Sequence, residues 1–205
     1  MKIIRKFAYS SAIYIQQNNS SSHENRRILY FGFQAIYGDM VKLIIVILIS
    51  SVLHSLLQVL ALTFAFAFLR RYAGGIHMDT DGKCIIVTVC SFVIPGTLIS
   101  KINFELNTVW IIIINAIITI NCLLLLKKYA PKDCVNRPIE ENEAIVFKSR
   151  AIRDFIILAV ISIIFALLGQ HLLSLSIIAG ILIEIFTLVP VGYRLLEMFN
   201  SYIKL

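Results

Sequence analysis

The sequence predicts an all-α, polytopic membrane protein of about six spans, with four or five as alternatives, preceded by two amphipathic interfacial helices. Three observations carry that expectation. The 205-residue chain is 59% hydrophobic and 15% charged, against about 45–50% and about 25% in soluble domains. Its mean hydropathy is +0.85, and the apolar residues come in blocks too long for one globular core. Basic residues cluster between those blocks, the pattern that sets orientation in a membrane. A soluble cytosolic enzyme, a secreted disulfide scaffold and a disordered regulator are thereby excluded. The four Cys and four Pro form no small-secreted framework. A net charge of +7 raises the question of nucleic acid, but its position beside apolar spans assigns it to topology, and no nucleic-acid partner is expected.

Residues 1–40 are expected to form the two amphipathic helices, and residues 41–205 the transmembrane domain. Lys2, Arg5 and Lys6 resemble a signal-peptide n-region, but no apolar h-region follows. Instead Ile3, Ile4, Phe7, Ile13 and Ile15 alternate loosely with polar residues. After the break Gln16–Ser22, the segment Glu24–Tyr37 sets Arg26 and Arg27 among Leu29, Tyr30, Phe31, Phe33 and Ile36. Both segments suit a membrane surface, basic face toward anionic headgroups; a helical pair packed on the transmembrane body is the alternative.

Four apolar blocks follow, Leu43–Leu69, Ile85–Ser100, Val109–Leu126 and Phe155–Tyr193. Basic clusters lie at the N-terminus, at Arg70–Arg71, from Lys127 to Arg153, and at Arg194 and Lys204. Keeping these on the cytoplasmic side requires three hairpins, 43–54/56–69, 85–100/106–126 and 155–169/172–193. The outer turns are then His54–Ser55, Lys101–Glu105 and Gly169–His171, with both termini inside. Each arm of the first hairpin is short against a hydrocarbon core of about 30 Å, so a single tilted span there is the competing arrangement. The segment 127–153 reads as a cytoplasmic connector.

The chemically loaded stretch runs from Arg70 to Cys84. Gly74–Gly75 does not continue a helix cheaply. Thr80 or Asp81 is a good N-cap, which starts the next helix near Gly82 and puts Cys84 in its first turn. A helix N-terminus and the adjacent Lys83 both favour an anion there. Six residues lie between His77 and Cys84, enough chain to fold an imidazole back onto the sulfur. A Cys–His pair is the minimum for thiol nucleophilic catalysis, and first-turn N–H groups are candidate oxyanion donors. From spacing alone, a solvated His and a packing Cys explain the same residues. A divalent site from His77, Asp79 and Asp81 is a further alternative, although no second His or Glu stands at ligand spacing. Cys90 and Cys122 lie inside apolar blocks and Cys134 in the connector, none near a His.

The stretch Leu69–Arg70–Arg71–Tyr72–Ala73–Gly74–Gly75–Ile76–His77 with Cys84 resembles the accessory gene regulator B (AgrB) family of membrane cysteine endopeptidases, which process bacterial quorum-sensing pro-peptides. The length, the two N-terminal segments, the basic central loop with Ala130–Pro131, and Gly180–Ile181–Leu182–Ile183–Glu184 through Pro190 extend the resemblance over nearly the whole chain. A run of Lys common in the family's central loop is replaced here by Lys132 and Arg137, separated by Asp133. The resemblance implies Cys84 as nucleophile and His77 as general base. It further implies an AgrD-like precursor peptide as partner, cleavage of its C-terminal tail through an acyl-enzyme, cyclisation to a thiolactone or lactone, a homodimer, and a bacterial cell membrane location with the site on the cytoplasmic side.

Supporting residues follow from chemistry. Arg70 and Arg71 suit charge-assisted binding of an acidic tail, or simple topology anchoring. Glu184, a carboxylate within an apolar span, is a functional candidate by default, as partner of Arg70 or as a group orienting His77. Gln34 is a candidate hydrogen-bonding group, Gly75 a supporting residue that allows the backbone unusual angles, and Asp79 and Asp81 candidates for orienting His77. No metal or other cofactor is expected. A small-peptide transporter or exporter component and a non-catalytic scaffold are the rival readings; both predict that Cys84 is dispensable.

Overall fold

The computed structural model describes residues 2–19, 22–76, 78–102, 107–132 and 140–202. His77, Cys134 and most of the expected turn at 101–105 lie outside the described residues. The described residues form eight helices and no strand. They are α1 (Lys2–Asn19), α2 (His23–Val52), α3 (Leu56–Ala73), α4 (Asp81–Ser100), α5 (Thr108–Tyr129), α6 (Glu141–Leu167), α7 (His171–Leu188) and α8 (Pro190–Tyr202).

The N-terminal half differs from the expectation in one important respect. The segment Glu24–Tyr37 is not a separate surface helix but the first half of α2, which runs unbroken for 30 residues. Ser22 caps its start, accepting from the Asn25 N–H at 3.2 Å. Between the amphipathic stretch and the apolar one there is no Pro, only Gly38, and one helical Gly costs about 1 kcal/mol. That is too little to break a helix bridged across the junction by the ion pair Asp39–Lys42. α1 lies along this first half, burying Ile4, Ala8 and Ala12, one face at four-residue spacing. Ser11 and Tyr37 share a hydrogen bond of 2.8 Å between the two helices.

α2 and α3 turn over at His54, the one described non-glycine residue with positive φ (54°), and α6 and α7 turn at Gly169 (φ 75°). Ser55 and Thr97 hydrogen-bond at 2.9 Å, and Thr108 and His171 at 3.0 Å. These contacts gather the three turns at one end of an up-and-down bundle, α2 to α7. The short first hairpin is resolved by extension: α3 carries on through Arg70 and Arg71 to Ala73, giving 18 residues, or about 27 Å of helix.

Five helices, α2, α3, α4, α5 and α7, are long and apolar enough to cross a membrane. α6 is not among them, because Arg150, Arg153 and Asp154 interrupt its polar-to-apolar transition. The connector is shorter than the expected 127–153: α5 runs on to Tyr129 and α6 starts at Glu141. Lys127 and Lys128 in the last turn of α5, and Glu141 and Glu143 in the first turn of α6, complement the helix dipoles and so favour these extensions. The last hairpin also ends early. Pro190 has no N–H to donate and pushes Val189 into an extended conformation (ψ 148°). α7 therefore stops at Leu188, and α8 leaves as a separate amphipathic helix.

α7 is the central rod. Its Gly180 lets α3 come close: a Cβ there would strike the Leu62 carbonyl and lie 2.9 Å from the Ala65 Cβ. Leu69, Leu126, Phe155, Leu158, Ile181 and Leu188 form the apolar core around it. One buried polar knot sits inside the bundle. The Asn115 amide donates to Ser162 (2.9 Å) and Ser174 (2.8 Å), tying α5, α6 and α7 together. Every member is satisfied, as burial in an apolar medium demands.

Candidate active site

The end of the bundle opposite the three turns carries the chemistry. Thr80 caps α4, its hydroxyl accepting from the Lys83 N–H at 3.3 Å. Cys84 therefore falls in the first turn, half-buried. Its own N–H donates to the Thr80 carbonyl at 3.0 Å. The cap thus consumes the Lys83 and Cys84 N–H groups, which removes both from the expected set of oxyanion donors.

Cys84 opens into a cavity of about 790 Å³. One wall is α2, which contributes Gln34, Asp39 and Lys42; the other is the α3–α4 junction with Arg70, Gly75 and Asp79. Ile28 and Phe31 make the outer part of the α2 wall apolar, and Lys132 reaches the cavity from beyond α5.

The junction is shaped by its glycines. Gly74 (φ 80°) and Gly75 (φ 127°) both occupy left-handed backbone, which side chains resist. Lys132 passes directly against Gly74, its N–H donating to the Ala73 carbonyl at 2.9 Å. A Cβ on Gly75 would stand 2.7 Å from an Arg70 nitrogen and 2.8 Å from the Thr187 hydroxyl. Gly75 is thus required twice over, by angle and by space.

The charged residues are largely committed to one another. Arg70 donates to Glu184 and to Thr187, each at 3.3 Å, and to the Ile76 carbonyl. Glu184 is fully buried, and its second oxygen, Oε1, has no hydrogen-bond partner among the described residues. Arg71 takes Asp154 at 2.8 Å, and Arg153 takes the other oxygen of the same carboxylate at 3.0 Å. Arg71 also lies over the Phe68 ring at 4.0 Å. Both arginines line the cavity, yet each is held to the bundle by a buried acid.

One expectation is corrected by side-chain direction. Lys83, next to Cys84 in sequence, is buried and turns away to donate to the Asn200 carbonyl on α8. The cation at the sulfur is Lys42 of α2, with Nζ 3.5 Å from Sγ. Asp79 bonds to α8, and its expected role in orienting His77 falls on a residue outside those described. Its N–H donates to the Asn200 side chain at 3.1 Å, and its carboxylate accepts from Asn200 Nδ2 at 3.2 Å. Asp81 and Gln34 both line the cavity.

Sequence reasoning missed Lys42, Asn200 and Asp154. Asp154 had a readable signal, a lone acid among basic residues at the mouth of an apolar block. Lys42 and Asn200 had none, since only the tertiary fold brings them to Cys84 and Asp79.

With this geometry in place, the whole chain can be compared with known proteins. The family model for accessory gene regulator B matches residues 8–188. The chain belongs to the AgrB family. A putative AgrB-like protein of Clostridium perfringens is 28% identical over 193 residues, covering 88% of each chain. A putative AgrB-like protein of Halalkalibacterium halodurans is 26% identical over 98% of this chain and 94% of its own. The accessory gene regulator protein B of Staphylococcus aureus is 27% identical over 89% and 92%. No solved structure matches this AgrB family member.

Proposed function

We propose that this AgrB family member is a membrane-embedded cysteine endopeptidase that removes the C-terminal tail of a quorum-sensing pro-peptide and promotes closure of the product into a thiolactone or lactone. The observation that carries the reading is the placement of Cys84 on the first turn of α4, opening into a peptide-sized cavity at a helix N-terminus. An inert packing cysteine has no use for such a place.

In the first step the Cys84 sulfur bonds to the carbonyl carbon joining ring segment and tail. The C–N bond then breaks, and the tail amine leaves with a proton delivered by His77, the general base of the preceding deprotonation. A thiol or hydroxyl of the precursor next attacks the thioester carbonyl, and Cys84 departs as the ring closes. Exchange between thioesters is nearly isoenergetic, so removal of the tail pulls the sequence forward. The half-enclosed cavity limits attack by water on the acyl-enzyme. With both arginines engaged by Glu184 and Asp154, their first duty is to build the junction. Arg71, whose side chain is 45% exposed, keeps a face toward the cavity for an acidic tail.

The topology that suits this chemistry has six crossings, α6 included, with the Cys84 end cytoplasmic, and a homodimer is the assembly that the family suggests. Protein in lipid vesicles, incubated with the precursor encoded beside its gene and followed by mass spectrometry, tests the reading. A released tail and an acyl adduct on Cys84, both absent from Cys84→Ala, are expected. Tail release that survives Cys84→Ala discards the mechanism; movement of intact precursor across the vesicle in both proteins would favour a transporter.

A further inference from the structure

We propose that Lys42 is a catalytic residue, its ammonium hydrogen-bonding the Cys84 sulfur and holding it as the thiolate that attacks substrate; this rests on the reading of Cys84 as nucleophile.

Among the described residues four cations line the cavity, and three are engaged elsewhere. Arg70 is tied to Glu184 and Arg71 to Asp154, while Lys132 lies over the Tyr193 ring at 4.3 Å. Lys83, the neighbour in sequence, is spent on α8. Lys42 alone among these reaches the sulfur, at 3.5 Å. Its side chain is only 21% exposed, so the charge acts through a medium less screening than water. Asp39, one helical turn earlier and 74% exposed, holds the ammonium from the solvent side and fixes its direction toward Cys84.

The placement also answers a need. The N-cap consumes the Lys83 and Cys84 N–H groups, so the helix terminus does not offer those donors to a charged sulfur. A fixed ammonium supplies that stabilisation from the opposite wall. Lys42 keeps its proton throughout: it donates a hydrogen bond and transfers nothing, leaving proton movement to the general base. Because the cation belongs to α2 and the nucleophile to α4, the active sulfur exists only when the two walls of the cavity are in register.

Alkylation by iodoacetamide at fixed neutral pH reads the thiolate directly and needs no precursor. The full chain in lipid nanodiscs is labelled, and each cysteine is followed by peptide mass spectrometry. Lys42→Met and Lys42→Gln are expected to slow modification of Cys84 by about fivefold or more, whereas Lys42→Arg stays within about twofold of native. A soluble thiol peptide added to every sample serves as the reference rate and should not change, while Cys90, in the middle of the α4 span, is expected to stay unlabelled. A thermal midpoint close to native in each variant certifies an intact bundle. A native Cys84 rate in either neutral variant overturns the proposal. So does an equal slowing in Lys42→Arg and Lys42→Met, which would make the contact a matter of packing. Should Cys84→Ala still cleave precursor while the Lys42 effect on alkylation holds, the peptidase reading falls and the cation–sulfur pairing stands.

Discussion

Glu184 is the residue whose surroundings leave least freedom. It is fully buried, accepts from Arg70 and Thr187 through one oxygen, and leaves the other without a partner among the described residues. Removing one member of a buried ion pair strands the other, at a cost of about 3–5 kcal/mol. Glu184→Ala is accordingly expected to lower the thermal midpoint in detergent by well over the effect of Glu184→Gln, which keeps an acceptor for Arg70. Because Arg70 also holds the Ile76 carbonyl, Glu184→Ala should reduce precursor cleavage even below the unfolding range. Equal midpoints for the two variants would mean that Arg70 finds another partner. At this scale the sequence was informative about identity and uninformative about direction. A cap at Thr80 or Asp81 and Cys84 in the first turn were legible from local chemistry, and Glu184 stood out as an acid in an apolar span, with Arg70 as one of two candidate partners. That Lys83 points to α8 and Lys42 to the sulfur was not, because rotamers answer to neighbours that only the tertiary structure supplies.

At the scale of the element, α8 has a role that its exposed amphipathic sequence does not suggest. It returns from Pro190 to place Asn200 beside the segment leading into α4, where one side chain satisfies both the N–H and the carboxylate of Asp79. The Lys83 contact uses the Asn200 carbonyl instead, so Asn200→Ala releases the loop and leaves α4 attached. The expected result is a small loss of stability, about 1 kcal/mol for exposed hydrogen bonds, with a roughly tenfold fall in cleavage rate from lost positioning. Steady-state kinetics and a melting curve on the same preparation check it; a rate within twofold of native would reduce α8 to a surface helix. The helices themselves were largely legible, since long apolar blocks, caps and prolines are local signals. Their ends were not. α2 fused two segments that differ in composition but share helical backbone, and α5 and α6 each ran past the charges taken to mark their limits.

For the whole molecule, the contacts that gather the turns at 53–55 and 168–170 with the facing ends of α4 and α5 put Cys84 and the basic residues at the opposite end. Gln170→Cys and Lys148→Cys, each in a background with the native cysteines replaced by Ala, report the two ends from exposed positions. Membrane-impermeant maleimide applied to intact cells should label Gln170→Cys and spare Lys148→Cys. The reverse pattern would place the cavity outside, and labelling of both would mean that α6 and α7 do not form the closing hairpin. Ser55 would be a poor reporter, being buried and bonded to Thr97. The clustering of Lys and Arg at one end of the bundle was legible in their distribution along the chain, whereas the existence of a cavity was not, since its two walls are separated by some forty residues of chain.

The unbroken course of α2 has a mechanical consequence. Thirty residues of helix make a stiff rod about 45 Å long, with α1 strapped to one end and the turn at His54 at the other. Gln34 and Phe31, which line the cavity, and Lys42, which faces the sulfur, ride on that same rod within about three turns of one another. A body wedged against the outer part cannot displace it without carrying the ammonium along. The helix is a lever: whatever presses on its cavity-lining outer arm also moves the charge that its inner arm sets beside the Cys84 sulfur.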